Sequence, residues 1–283
     1  MRQINCLNLT EIIKYLYTFK NGAVLDFKTI VEESNQLAGF EKCERIYLGS
    51  YFCAQYFLNL SQNIVDEVIA YCREEGVKLT LVIPTFTEKN LSKGKEKIEY
   101  LITACIDIID EVTVNDYGML AYIAERYNLN LNMGRIFMKD YRDLRYAQYF
   151  NTTLKPKFFT TYFDELIDKY NIRGVEFDPT HREINFEACP KKLEIGVHAP
   201  YCYMTVGQIC EFGSIHKSIE KKFRPNTTCQ GECNLNMFRY NFNDGHEWLR
   251  VGRAIYFENK ECQLVGMDSF RKIYFPVDLV VKQ

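Results

Sequence analysis

The chain of 283 residues has one tryptophan, four histidines and no marked charge excess. Its 35 lysines and arginines against 37 aspartates and glutamates leave a net charge of −2. That balance argues against a general nucleic-acid-binding surface, while leaving room for a local basic patch. No run of about 18 apolar residues occurs, so no membrane span is expected. The opening residues, MRQINCLNLTEIIKYL, lack an apolar core followed by a small-residue cleavage site. The expectation is therefore no secretory leader and a cytoplasmic setting. HExxH and GxSxG are missing, and no obvious Cys–His pair with a clear base replaces them. No low-complexity linker divides the sequence, so a single domain over residues 1–283 is expected.

What is present reads as an ordinary globular core, with 47% hydrophobic and 25% charged residues. Tyrosine and phenylalanine number 20 each, and the tyrosines suit core rims where a hydroxyl meets a partner. Helical spacing of apolar residues predicts helices over 10–19 (starting at Thr10 and Glu11), 27–40, 61–73, 93–106, 117–127, 142–150 and 163–170. Gly39 and Gly76 are the expected stops. Short β-rich runs predict strands near Ile4 and over 46–48, 77–84, 111–115, 129–134, 174–177 and 192–198. Residues 250–265 and 270–281 read as two further strands, either a hairpin or a late barrel strand with a terminal extension.

Strand and helix thus alternate at intervals of roughly 25 to 40 residues, which implies right-handed crossovers and a parallel sheet. Seven or eight units fit before Cys202. An open doubly wound sheet and a closed (β/α)8 TIM-like barrel both match that order. The barrel is favoured, regular or distorted, because no glycine-rich phosphate turn follows the first strand. Its working face lies at the C-terminal strand ends. That face nominates Cys53, Thr85, Thr87, Asn115, Asp116, Arg135, Glu176, Asp178 and His198. Of these, Asp116, Arg135, Glu176 and His198 are the candidates for substrate contacts and proton handling. Asp116 also fits a plain helix N-cap.

Cysteine is the unusual component. Four of the 11 cysteines, Cys202, Cys210, Cys229 and Cys233, fall within the loop-rich segment 198–233. In a reducing compartment such clusters bind metal more often than they form disulfides. Gly231 permits a tight turn that aims Cys229 and Cys233 at one centre. The polar loop after Cys210 has little to bury and needs a bound metal to stay folded. Cys6, Cys43, Cys72, Cys105 and Cys189 read as structural. His216 and His246 are alternative ligands, with a surface role the commoner reading.

The IYLG run, the VTVND and NMG strand ends and the GQIC…TCQGEC segment resemble the collagenase-like peptidase family (peptidase family U, number thirty-two). The nearest likeness is to its small iron–sulfur members of oxygen-independent ubiquinone hydroxylation; related members act on tRNA and ribosomal RNA. The resemblance spans residues 45–233. It implies a [4Fe–4S] cluster on four cysteines at a barrel mouth, with zinc as the alternative metal. Cys210, Cys229 and Cys233 match the family pattern. The fourth ligand is Cys53 in the ubiquinone-type pattern, or Cys202 in the peptidase-type pattern, where Cys262 is the further candidate. The residues around Cys202 and the EFGSIHKSIEKKF spacer depart from that pattern, which leaves the substrate open.

Three functions follow as expectations. The first is an iron–sulfur enzyme or subunit of an oxygen-independent hydroxylation of a quinone precursor or RNA, served by an unidentified electron donor. The second is a non-catalytic zinc- or cluster-stabilised binding subunit, one half of a heterodimer with a homologous partner, docking through Tyr15, Tyr17 and Phe19. The third is a peptidase, on the family label alone.

Overall fold

A computed structural model of the chain describes residues 1–17, 26–138, 160–179, 184–187, 189–190, 192–225, 229–241, 247–259 and 264–281. The predicted helix over 142–150 lies outside them, as do Phe19, His246 and Cys262. Eight parallel strands close a barrel: β1 (Arg2–Asn8), β2 (Arg45–Gly49), β3 (Lys78–Ile83), β4 (Ile109–Val114), β5 (Asn130–Met133), β6 (Ile172–Phe177), β8 (Glu194–Ala199) and β14 (Ser269–Tyr274). A short strand β7 (Ile184–Asn185) pairs outside the barrel with β13 (Leu264–Val265). The fold is thus a (β/α)8 TIM-like barrel, as the alternation predicts.

Its helices form where the apolar spacing places them. Helix α1 (Ile13–Leu16) follows β1. Helix α2 (Phe27–Ala38) is capped by the Asp26 carboxylate, which accepts from the Thr29 amide at 2.7 Å, and it stops at left-handed Gly39. Helices α3 (Ala54–Leu58) and α4 (Gln62–Glu75) precede β3, and α4 buries Val65, Val68, Ile69 and Cys72. Each such aliphatic side chain contributes about 1.5–3 kcal/mol of burial. Helices α5 (Glu88–Ala104), α6 (Tyr117–Arg126) and α7 (Thr161–Tyr170) complete the crossovers to β4, β5 and β6, and α8 (Asp278–Val281) follows β14. Among the described residues no helix is long and apolar enough to cross a membrane.

Seven barrel strands precede Cys202, within the expected seven or eight units, and two other expectations need correction. The eighth is β14, which pairs in parallel with β1 on one side and β8 on the other and so closes the barrel after the cysteine-rich segment. Between them, β9 (Tyr201–Val206), β10 (Phe238–Asn241), β11 (Glu247–Val251) and β12 (Ala254–Glu258) form an antiparallel sheet in the order β10-β11-β12-β9. Residues 250–265 are therefore not one strand. The chain turns at Gly252 (φ +53°) to join β11 to β12. The second correction concerns Thr10 and Glu11, which do not start a helix. Both are buried, and Glu11 takes φ +59° because its carboxylate is used elsewhere.

The barrel interior is polar where many such barrels are filled by branched apolar side chains. At the N-terminal end Arg45 binds Asp110 (2.7 Å) and Thr80 (3.0 Å), and Arg271 binds Glu111 (2.7 Å). Inward-facing glycines make room further up. A Cβ on Gly174 would stand 2.3 Å from Asn132 Oδ1, and one on Gly134 would stand 2.4 Å from Asn115 Oδ1.

Candidate metal centre

The site is organised around the turn that follows β2. Gly49 takes φ +123°, and a Cβ there would fall 2.2 Å from the Val82 carbonyl oxygen, so only glycine lets β2 end this close to β3. Residues 50–53 are then clamped from within. The Glu11 carboxylate accepts from the Ser50 hydroxyl (2.6 Å), the Tyr51 amide (2.6 Å) and the Phe52 amide (3.1 Å). Ser50 Oγ in turn accepts from the Cys53 amide at 2.8 Å. Burial pushes the Glu11 carboxyl above its ordinary range, and the bonds from Ser50, Thr10, Phe52 and Tyr51 oppose that. Sequence reasoning missed this role. The signal was a lone acid inside the apolar run LNLTEII, where a buried carboxylate must find donors.

Three consecutive side chains leave this turn for three destinations. Tyr51 donates to Glu176 inside the barrel (2.6 Å). Phe52 packs on Tyr203, with ring centroids 5.0 Å apart. Cys53 reaches the cysteine-rich segment.

There, Cys53, Cys210, Cys229 and Cys233 line one small hollow with about 20 Å³ of accessible space. Local geometry gathers the last three. Gly213 donates its amide to Cys210 Sγ (3.4 Å), and a Cβ on Gly213 would lie 3.1 Å from Cys229 Cβ. Gly231, at φ +86°, makes the turn between Cys229 and Cys233. Burial pushes the Cys53 thiol up to about 11 and also raises Cys229 and Cys233. Cys53, Cys210 and Cys229 each add to the rise at Cys233, so the four sulfurs are within electrostatic reach of one another. Lys14 borders the hollow, half-buried over the Tyr56 ring (5.6 Å) and bonded to the Asn59 carbonyl oxygen. Burial lowers its pKa, and the nearby Cys233 and Cys229 favour its charge.

Cys202 lies elsewhere. Alternation along β9 turns Tyr201 and Tyr203 toward the barrel and Cys202 to the opposite face, against Trp248 and Phe257. Its thiol donates to the Pro179 carbonyl oxygen at 2.6 Å. His216 is exposed on the segment's surface. Cys6, Cys43, Cys72 and Cys105 sit in the core, and Cys189 is partly buried. Among the described residues no group of three or more His, Cys, Asp or Glu side chains is arranged to hold a metal ion.

Three of the four proposed polar residues meet inside the barrel mouth. Glu176 accepts from Tyr51, from the Thr113 hydroxyl (2.6 Å) and from His198 Nε2 (3.0 Å). Burial, followed by the charge of Arg135, holds the His198 pKa below its ordinary value. Among the described residues its Nδ1 has no partner. Arg135 is fully buried and pairs with Asp178, with Nε at 2.8 Å from Oδ2. Burial opposes the guanidinium charge, and Asp178 outweighs that. The rings of Tyr51, Phe52, Tyr203 and Tyr256 surround the guanidinium at 5.3–5.8 Å. Aromatic side chains thus surround the Arg135 end of this cluster. Asp116 stands apart from it and caps α6 by accepting from the Met119 amide at 2.7 Å. Tyr17 bonds Glu67 on the outer surface. No family model matches the chain, and no curated protein matches it.

Proposed function

We propose that Cys53, Cys210, Cys229 and Cys233 hold a [4Fe–4S] cluster at the C-terminal mouth of the barrel. The protein would then be an iron–sulfur component of an oxygen-independent hydroxylation, as the likeness to the collagenase-like peptidase family implies. One observation carries this reading: four thiols from two stretches more than 150 residues apart border a single hollow, beside a half-buried lysine. The donor set suits the group. Thiolates are soft and anionic, and a cubane takes four of them. Lys14 offsets part of the negative charge that four thiolates bring to a buried site. Bound there, the cluster would supply electrons or activate an oxygen donor.

The chain's own contributions follow from the geometry. Glu11 and Ser50 hold Cys53 in place. Tyr51 and Phe52 tie that turn to the buried Glu176 and Arg135, so the barrel core and the thiols share one rigid connection. A reducing compartment such as the cytoplasm suits the exposed edge of the site. The substrate would be a quinone precursor or an RNA base.

Anaerobic purification tests the reading. A brown protein with about four irons and four sulfides per chain, reducible by one electron, is expected. A colourless protein with one zinc per chain would overturn the cluster and leave a binding subunit stabilised by zinc.

A further inference from the structure

A second cleft shares Cys53, Cys210 and Cys229 with the thiol hollow. It offers about 210 Å³ of accessible space and opens to solvent, room for a small organic anion though less than the ~300 Å³ of a drug-sized ligand site. The C-terminal end of β3 and the start of α5 form one wall, and Arg224 and Arg253 border the other side. Among the described residues no aspartate or glutamate lines it. In a chain whose acids outnumber its bases, that is a local reversal of charge.

Neither guanidinium is neutralised. Arg253 donates from Nε to the Gly207 carbonyl oxygen and from Nη2 to Gln208 Oε1, both at 2.8 Å and both uncharged acceptors. Among the described residues no carboxylate pairs with Arg253 or Arg224. Other arginines of this end are paired: Arg135 with Asp178, and Arg250 with Glu211. Thr87 borders the same cleft, and among the described residues its hydroxyl has no partner. Asn90 adds an amide. Two unspent cations and an idle hydroxyl around one space describe a receptor for an oxyanion.

We propose that this cleft binds a phosphate monoester, with the phosphate held by Arg224, Arg253 and Thr87. Two guanidinium groups balance a dianion, and a tetrahedral group offers three oxygens to two forks and a hydroxyl at once. A single carboxylate brings one charge and two oxygens. Phe86 and Pro225 supply apolar wall for the organic part. That this part lies against the cluster rests on the iron–sulfur reading; the anion site does not.

The test is calorimetric titration of phenyl phosphate, and of succinate for comparison, into the anaerobically prepared full chain. Phenyl phosphate should bind, and R224Q and R253Q should each weaken it about tenfold, the loss of one charge-assisted bond. Arg224 is exposed, so R224Q keeps the fold and decides the matter if R253Q disturbs the loop at Gly207. No binding of phenyl phosphate, binding unchanged in R224Q, or succinate bound as tightly as phenyl phosphate would each overturn the proposal. Iron is measured on the same samples. Iron-loaded protein that ignores phenyl phosphate sinks the anion site alone. Iron-free protein that binds it sinks the cluster alone.

Discussion

Replacing Glu11 by alanine should damage the thiol site without touching a cysteine. Three donors lose their acceptor: the Ser50 hydroxyl and the amides of Tyr51 and Phe52. They are not equally stranded. The Phe52 amide keeps a second acceptor in Ser50 Oγ at 3.3 Å, and the Ser50 hydroxyl is free to rotate. The Tyr51 amide is left buried and alone. One stranded buried donor and the loss of two bonds to a carboxylate come to about 3–5 kcal/mol. That is a large share of the roughly 5–15 kcal/mol by which domains are stable. E11Q keeps an acceptor oxygen and should lose about half as much, since neutral acceptors bind less strongly than charged ones. Urea unfolding gives the stabilities, and the alkylation rate of Cys53 with iron per chain reports on the site. The expected order is wild type, E11Q, E11A, with Cys53 reacting faster and iron falling in the same order. An E11A protein within about 1 kcal/mol of wild type, with its iron intact, would refute the clamp.

Alanine at Cys53, Cys210, Cys229 or Cys233 should each strip most of the iron, whereas C202A should retain it; the reverse result for Cys53 and Cys202 would reassign the fourth ligand. Breaking the buried pair with D178N should cost about 3–5 kcal/mol in urea unfolding, and the double change R135M/D178L should recover much of that. His198 supplies a pH test. Its folded pKa lies below the unfolded value of about 6.5, so between the two the unfolded chain holds more protons. Stability therefore rises with pH through that window and is lost as pH falls below about 6.5. H198Q should flatten the slope measured between about pH 5 and 7, and an unchanged slope would show that His198 titrates in the fold as it does in the unfolded chain.

Local chemistry was legible wherever a single element decided the outcome. Gly39 and Gly76 stop helices because each takes the left-handed conformation, and the apolar stripe of α4 is buried as its spacing requires. Gly231 turns the chain between two cysteines as its lack of a side chain permits. The barrel itself was legible from the alternation of elements. Even the capping alternative for Asp116 could be read beforehand, since an aspartate before a helical run satisfies an otherwise unpaired amide.

What the sequence alone determined, then, was the kind of each element, the barrel class and the cysteines worth weighing. Tertiary structure decided which of those cysteines meet. Cys202 lies within the segment in sequence yet faces away from its other cysteines, because β9 alternates its side chains and its tyrosines take the barrel side. Cys53 is 157 residues before Cys210 yet shares its hollow, because β2 ends at the mouth over which the segment folds. The clamp of Glu11 and the burial of Arg135 were out of reach for the same reason. Each depends on strand register and on which face a residue presents, and those are properties of the assembled sheet rather than of any stretch of chain.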